Sequence, residues 1–132
     1  MDLMVNKQKL KIRLALVTFL VYFLNTIATK FYWYYSIWWF DVLMHFLGGV
    51  WVTFILFWFF PVTPLSKNYF PKLILGILFV GLGWEVFEII FNNIIAGITF
   101  DLFDTLSDVF FDMLGGVLAV FYFSKRIMIK SK

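Results

Sequence analysis

Four runs of about twenty mainly apolar residues, at approximately 10–28, 38–60, 70–95 and 105–123, set the terms for everything else this chain can fold into. Each is long enough to cross the ~30 Å hydrocarbon core of a bilayer as a helix. In lipid, a spanning segment must satisfy its own backbone N–H and C=O groups, and a helix does so within itself. The runs are continuous rather than alternating, so the expectation is all-α: a polytopic membrane protein with one four-helix transmembrane domain covering residues 1–132. Composition agrees, since 63% of the 132 residues are hydrophobic and 14% charged, against roughly 45–50% and 25% in soluble domains. A globule of this size has too little interior to hide that much apolar surface.

The connections are short and punctuated by proline. Pro61 and Pro64 close the second run and Pro71 opens the third, where a missing N–H costs least. Basic residues give the orientation. Lys7, Lys9, Lys11, Arg13, Lys67, Lys72, Lys125, Arg126, Lys130 and Lys132 fall on one side of a pair of hairpins and only Lys30 on the other. By the positive-inside bias both termini are expected in the cytoplasm of a bacterial-type inner membrane. The net charge of +3 is then a matter of topology and lipid headgroups, and no nucleic-acid partner is implied by such short, unpatterned tails. The first run also has the make-up of a signal sequence, with small residues near Thr26 and Ala28, although bulky aromatics rather than a polar start follow it. Those aromatics, residues 31–40, read as an interfacial belt.

The acids are distributed as no inert membrane protein requires. Apart from Asp2 they are Asp41, Glu85, Glu88, Asp101, Asp104, Asp108 and Asp112. With the topology above and about 1.5 Å of rise per residue, Asp41, His45, Glu85, Glu88, Asp108 and Asp112 all lie within roughly 5–15 Å of the outer boundary. Asp41 and His45 are four apart, Asp104, Asp108 and Asp112 are successively four apart, and Glu85 and Glu88 are three apart, so each set shares one helix face. A charge at the centre of a spanning helix costs about 2.5–3.5 kcal/mol even on a lenient scale. The acids are therefore expected to face one another, with protons, a cation or water between them. Asp101 and Asp104 fit better at the start of the fourth helix, where Asp104 or Thr105 can cap it.

An internal repeat points the same way. DVLMHFLGGVWVTF at 41–54 aligns without gaps onto DVFFDMLGGVLAVF at 108–121, pairing Asp41 with Asp108, His45 with Asp112, and Gly48/Gly49 with Gly115/Gly116. The second and fourth helices are thus expected to be versions of one element, in two hairpins related by a pseudo-twofold axis along the membrane normal. The glycine pairs allow close helix approach, and neither GxxxxGK[ST] nor GxGxxG is present to suggest a nucleotide loop.

Zero cysteines and a single histidine exclude disulfides, thiol catalysis, Cys-ligated zinc and multi-histidine motifs. Carboxylates with one imidazole suit Mg²⁺, Mn²⁺ or Ca²⁺, with Zn²⁺ less favoured. The expected metal ligands are Asp41, His45, Glu85, Glu88, Asp108 and Asp112, close enough to meet about one ion, with His45, Asp41, Glu85 and Glu88 as catalytic groups. The motifs D-x-x-x-H-F at 41–46, W-E-x-x-E at 84–88 and D-T-x-x-D-x-x-x-D-x-x-G at 104–115 resemble those of VanZ-like and YjdF-type small bacterial inner-membrane proteins. The resemblance covers about residues 38–123 and implies that Asp41, His45, Glu85, Glu88, Asp104, Asp108 and Asp112 are the family's polar positions. Val42 stands where a lysine often follows the first Asp, and the arginine typical of the VanZ second half is missing. The leading expectation is a metal-assisted enzyme acting on a lipid or lipid-linked phosphate of the cell envelope. The alternatives are a proton- or cation-coupled transporter or channel, and a non-catalytic structural membrane protein. Homo-oligomer formation is left open.

Overall fold

A computed structural model describes residues 3–60 and 68–130. It contains four helices long and apolar enough to cross a membrane. Helix α1 covers Lys7–Phe31, the short α2 Trp33–Ser36, α3 Phe40–Phe59, α4 Phe70–Phe91 and α5 Leu102–Arg126. Pro61, Pro64 and Lys67, which entered the turn and charge arguments, lie outside the described residues, as do Asp2 and Lys132.

The helix boundaries follow local chemistry more than hydropathy. Helix α1 begins at Lys7, ahead of the apolar run, because the Asn6 side chain accepts from the Lys9 N–H at 2.9 Å and supplies an N-cap. Helix α5 begins at Leu102 rather than 105 for the same reason. Its cap is Asp101, whose Oδ1 accepts from Phe103 N at 2.9 Å and Asp104 N at 3.4 Å, which corrects the assignment to Asp104 or Thr105. The aromatic belt is broken where Tyr32 takes a left-handed φ of 56°. There α1 ends, α2 forms, and the spanning α3 starts at Phe40 instead of 38. At its far end α4 widens into one π-helical turn, Asn92–Ala96, closed by Gly97 at φ 65°.

The all-α expectation needs one amendment. Leu3–Val5 (β1) and Met128–Lys130 (β2) pair as a two-stranded antiparallel ribbon, Val5 opposite Met128, and Asn6 N donates to Ile127 O at 3.0 Å. The start of α1 and the end of α5 are thereby fastened together at one end of the bundle. Hydropathy could not foresee this, because each strand exists only through its partner on the other helix.

Packing is layered along the helices. At the ribbon end, Leu10, Phe54, Phe57, Leu73, Ile77, Ala119, Val120, Phe123 and Ile127 form the buried apolar core, with Phe57 and Phe123 stacked at 3.7 Å between ring centroids. Helices α3 and α5 run in the same direction and pack most extensively. At their crossing a Cβ on Gly49 would fall on the Asp112 carbonyl, and one on Gly115 on the Phe46 carbonyl. Only hydrogen in place of a side chain permits that backbone approach. Thr53, fully buried, sits one turn further along and donates to Gly49 O at 2.8 Å. Helix α1 is peripheral, with only Leu10 and Ala28 buried, and reaches α3 through Trp51 Nε1, which donates to Thr18 Oγ1 at 2.8 Å.

Gly49→Ala and Gly115→Ala must force α3 and α5 apart, and each is expected to cost about 1–3 kcal/mol, read as a lowered thermal midpoint of the detergent-purified protein. Gly83→Ala, with nothing within 4 Å of an added Cβ, is the matched control and should leave the midpoint unchanged or slightly raised. Equal loss in all three would mean that the close crossing is not what the glycines provide.

Candidate functional site: one imidazole among five carboxylates

The end of the bundle away from the ribbon is polar inside. Asp41 lies in the first turn of α3 and His45 one turn later; Glu85 and Glu88 lie in the last two turns of α4; Asp108 and Asp112 lie in the second and third turns of α5. Because α4 runs opposite to α3 and α5, its C-terminal acids meet their N-terminal ones. His45, Glu85, Asp108 and Asp112 are buried, while the side chains of Asp41 and Glu88 keep 30% and 29% exposure and form the mouth.

The imidazole is the centre of the arrangement. Its Nε2 lies 3.7 Å from Asp108 Oδ2, 3.9 Å from Asp41 Oδ1 and 4.0 Å from Glu88 Oε2. Its Nδ1 lies 3.4 Å from Asp112 Oδ1 and 3.8 Å from Glu85 Oε1. All six residues singled out in the sequence are therefore brought together, His45 and Asp112 included. The distances are those of neighbours rather than of tight hydrogen bonds. Among the described residues, Glu85 Oε1 and Asp112 Oδ2 are buried without any hydrogen-bond partner. Buried carboxylate oxygens left without partners are costly.

Charge sharpens the point. Even as an imidazolium, His45 offsets one of five negative charges. Two carboxylates with oxygens 4–5 Å apart repel by on the order of 3 kcal/mol at an effective dielectric of about 20. Ligand atoms of Asp41, His45 and Asp108, and likewise of His45, Glu85 and Glu88, lie within 4.8 Å of one another. That separation is what two ligands about 2.0–2.5 Å from a shared cation allow. The cluster is thus dimensioned for a small cation or for shared protons.

Asp101 and Asp104 stand apart from this group. Asp101 caps α5, and Asp104, in the first turn, is exposed, so the position that the resemblance assigned to Asp104 does not enter the cluster. Asn92 contributes its backbone, with its carbonyl accepting from Gly97 and Ile98 N–H at the π turn. Tyr34 was missed in the sequence because it is one of many belt aromatics. Its hydroxyl donates to Asn25 Oδ1 at 2.8 Å, and its ring packs edge-on against Phe40 at 5.1 Å, one residue before Asp41. Burial, with the Asp41 and Glu88 carboxylates adding to it, pushes the Tyr34 phenol up to about 12. It remains a neutral hydrogen-bonding group beside the mouth at any physiological pH.

Replacing a crowded carboxylate by its amide should relieve repulsion. In chelator, Asp108→Asn is expected to raise the thermal midpoint by about 1 kcal/mol in stability terms, whereas Asp101→Ala, which removes the cap of α5, should lower stability by about 1 kcal/mol. A fall in both would show that the cluster is held together by its charges rather than strained by them.

No curated protein and no solved structure matches the chain. No family match supports VanZ-like proteins in particular. A family model described as a predicted membrane protein matches residues 3–128, which takes in all four spanning helices and every member of the carboxylate cluster, and the chain belongs to that family, DUF2238.

Proposed function

We propose that this integral membrane protein binds a divalent cation, Mg²⁺, Mn²⁺ or Ca²⁺, within the carboxylate cluster and uses it in a reaction on a lipid or lipid-linked phosphate of the cell envelope. The observation that carries the reading is the pair of buried, unpartnered oxygens, Glu85 Oε1 and Asp112 Oδ2, on two carboxylates that both face the Nδ1 side of one imidazole. Buried acceptors that no protein donor reaches are what a cation site leaves for its cation. A bound divalent ion supplies Lewis acidity toward a phosphoryl oxygen. Asp41 orients His45, one turn along the same helix, and His45 carries a proton to or from the reacting group. The part-exposed carboxylates Asp41 and Glu88 give the approach from the bundle end, the end nearer the lipid headgroups.

The placement proposed for this chemistry is the outer leaflet of a bacterial-type cytoplasmic membrane, with both termini cytoplasmic. The charge bias of the loops supports it, as does the ribbon that holds the two ends of the described chain at one face. Two hairpins in a parallel pseudo-twofold repeat are supported by the common direction of α3 and α5 and by their crossing at the aligned glycine pairs. Reporter fusions after Lys132 and within 62–70 should read cytoplasmic and a fusion beside Lys30 external; an external C-terminus would place the cluster in the wrong leaflet for this substrate.

A second reading has its own observation. The cluster grades from part-exposed Asp41 and Glu88 to buried Glu85 and Asp112, which is the order a proton or cation relay needs. Metal titration separates the two. Mn²⁺ added to chelator-treated protein should bind with release of protons, more tightly as pH rises because the ligands bind deprotonated. At about a hundred times its dissociation constant it should stabilise the fold by ~2.7 kcal/mol. Asp112→Asn should abolish most of that response and Asp101→Asn almost none of it. Absence of any metal response, together with a pH gradient that collapses in proteoliposomes unless Glu85→Gln is present, would replace the enzyme reading by the relay.

A further inference from the structure

The opposite end of the bundle holds a second polar feature that the carboxylate chemistry does not use. Between the start of α1 and the end of α5 lies a cavity of about 460 Å³ lined by Lys9, Arg13, Tyr122, Arg126 and Ile127. Lys9 and Arg13 are four apart on α1, and Tyr122 and Arg126 four apart on α5, so each helix turns one pair of side chains toward the same space. Ile127, buried, closes the floor. The ribbon and the Asn6 N–Ile127 O bond hold the two walls in register.

Three features of this cavity select the same ligand. Its lining carries three cations and no acid, and among the described residues none of the three has a carboxylate within 4.0 Å, every such pair being made by His45. The first turn of α1 contains no acidic residue. It carries Lys7 and Lys9 instead, against the preference of a helix N-terminus for negative charge. Lys9, Arg13 and Arg126 are all exposed, so they stand hydrated and free to turn toward an anion that enters the cavity, which gains a charge-assisted bond from each one it meets. Finally, arginine's planar fork and the Tyr122 hydroxyl suit tetrahedral oxyanions.

We propose that this cavity is a binding site for a phosphate group, presented by an anionic lipid headgroup or as free phosphate. Arg13 and Arg126 grip the phosphate oxygens from the two helices, Lys9 adds charge at the rim, and Tyr122 donates a hydrogen bond. The cavity is large enough for a headgroup together with its phosphate. It lies at the membrane-surface end of both helices, so the acyl chains of a lipid can pass directly into the bilayer. The site does not depend on the carboxylate cluster or on any activity proposed for it.

The test uses the full chain, purified in a neutral detergent, with two probes: dioleoylphosphatidylglycerol doped into the micelles, against dioleoylphosphatidylcholine as the zwitterionic control, and inorganic phosphate. Binding is read as the shift of the thermal midpoint and as bound lipid counted by native mass spectrometry. One saturable phosphatidylglycerol per chain is expected, with affinity about tenfold weaker in Arg13→Gln and in Arg126→Gln. Lys11→Gln, on the other side of α1 beside Leu14, Thr18 and Trp58, and Lys30→Gln, at the far end of the helix, should stay within about twofold of the parent. Arg13→Lys keeps the charge but loses the fork, and an intermediate affinity would show that geometry counts as well as charge. Phosphate that displaces the lipid and stabilises the protein alone identifies free phosphate as the ligand; phosphate without effect identifies the headgroup. The proposal is overturned if neither probe binds saturably, or if Lys11→Gln weakens binding as much as Arg13→Gln, since diffuse surface charge would then suffice.

Discussion

Lipid offers an ionised carboxylate nothing, and that constraint orders this molecule. Five acids on spanning helices cannot face acyl chains at about 2.5–3.5 kcal/mol apiece without undoing much of a helix's insertion energy. They face one another instead, around His45, and the helices are disposed to let them. Helix α4 must run opposite to α3 and α5 so that its last turns bring Glu85 and Glu88 level with their first turns. Convergence alone does not remove the cost, because it exchanges desolvation for repulsion. The two unpartnered oxygens mark where the protein's own donors run out.

The glycine crossing is what makes convergence possible. Gly49 against the Asp112 backbone and Gly115 against that of Phe46 bring α3 and α5 to backbone contact at the inner edge of the cluster. Below the crossing, Thr53, which reaches Gly49 O on its own helix and Gly116 O on α5, and then the stacked Phe57 and Phe123 fill the space between the two helices. A polar end, a narrow waist and an apolar end follow from one another. Widen the waist and the imidazole can no longer lie within 4.0 Å of acids on both α4 and α5. The Gly81 position extends the same logic to α4, where an added Cβ would stand 3.0 Å from Asp112 Oδ2.

Much of this was legible in the order of residues. Helical phase and depth placed Asp41, His45, Glu85, Glu88, Asp108 and Asp112 together, because in a membrane those two quantities nearly determine where a side chain can be. The features that were not legible depend on tertiary partners or on competition among similar residues. Val5 and Met128 carry no strand signal of their own and pair only because α1 and α5 end side by side. Asp101, rather than Asp104, caps α5 since the chain is already extended there, and several adjacent residues could have served. Tyr34 cannot be told from Tyr32 or Tyr35 until the turn at Tyr32 aims one of the three at Asn25.

The one place where the two aligned segments differ in ionisable chemistry is also the place where the site acquires direction. Position 45 is histidine where position 112 is aspartate. A second carboxylate there would have given six acids and no internal counter-charge. Histidine does more than neutralise, because its two nitrogens face different sets: Nε2 toward Asp41, Glu88 and Asp108, Nδ1 toward Glu85 and Asp112. The first set contains both carboxylates of the mouth, and the second holds both unpartnered oxygens. The ring therefore stands between the mouth acids, with buried Asp108 beside them, and the two acids whose oxygens lack partners, and a proton or ligand bond at one nitrogen changes what the other can do. Whatever passes between mouth and interior is coupled to the state of that single imidazole, in an enzyme and in a relay alike.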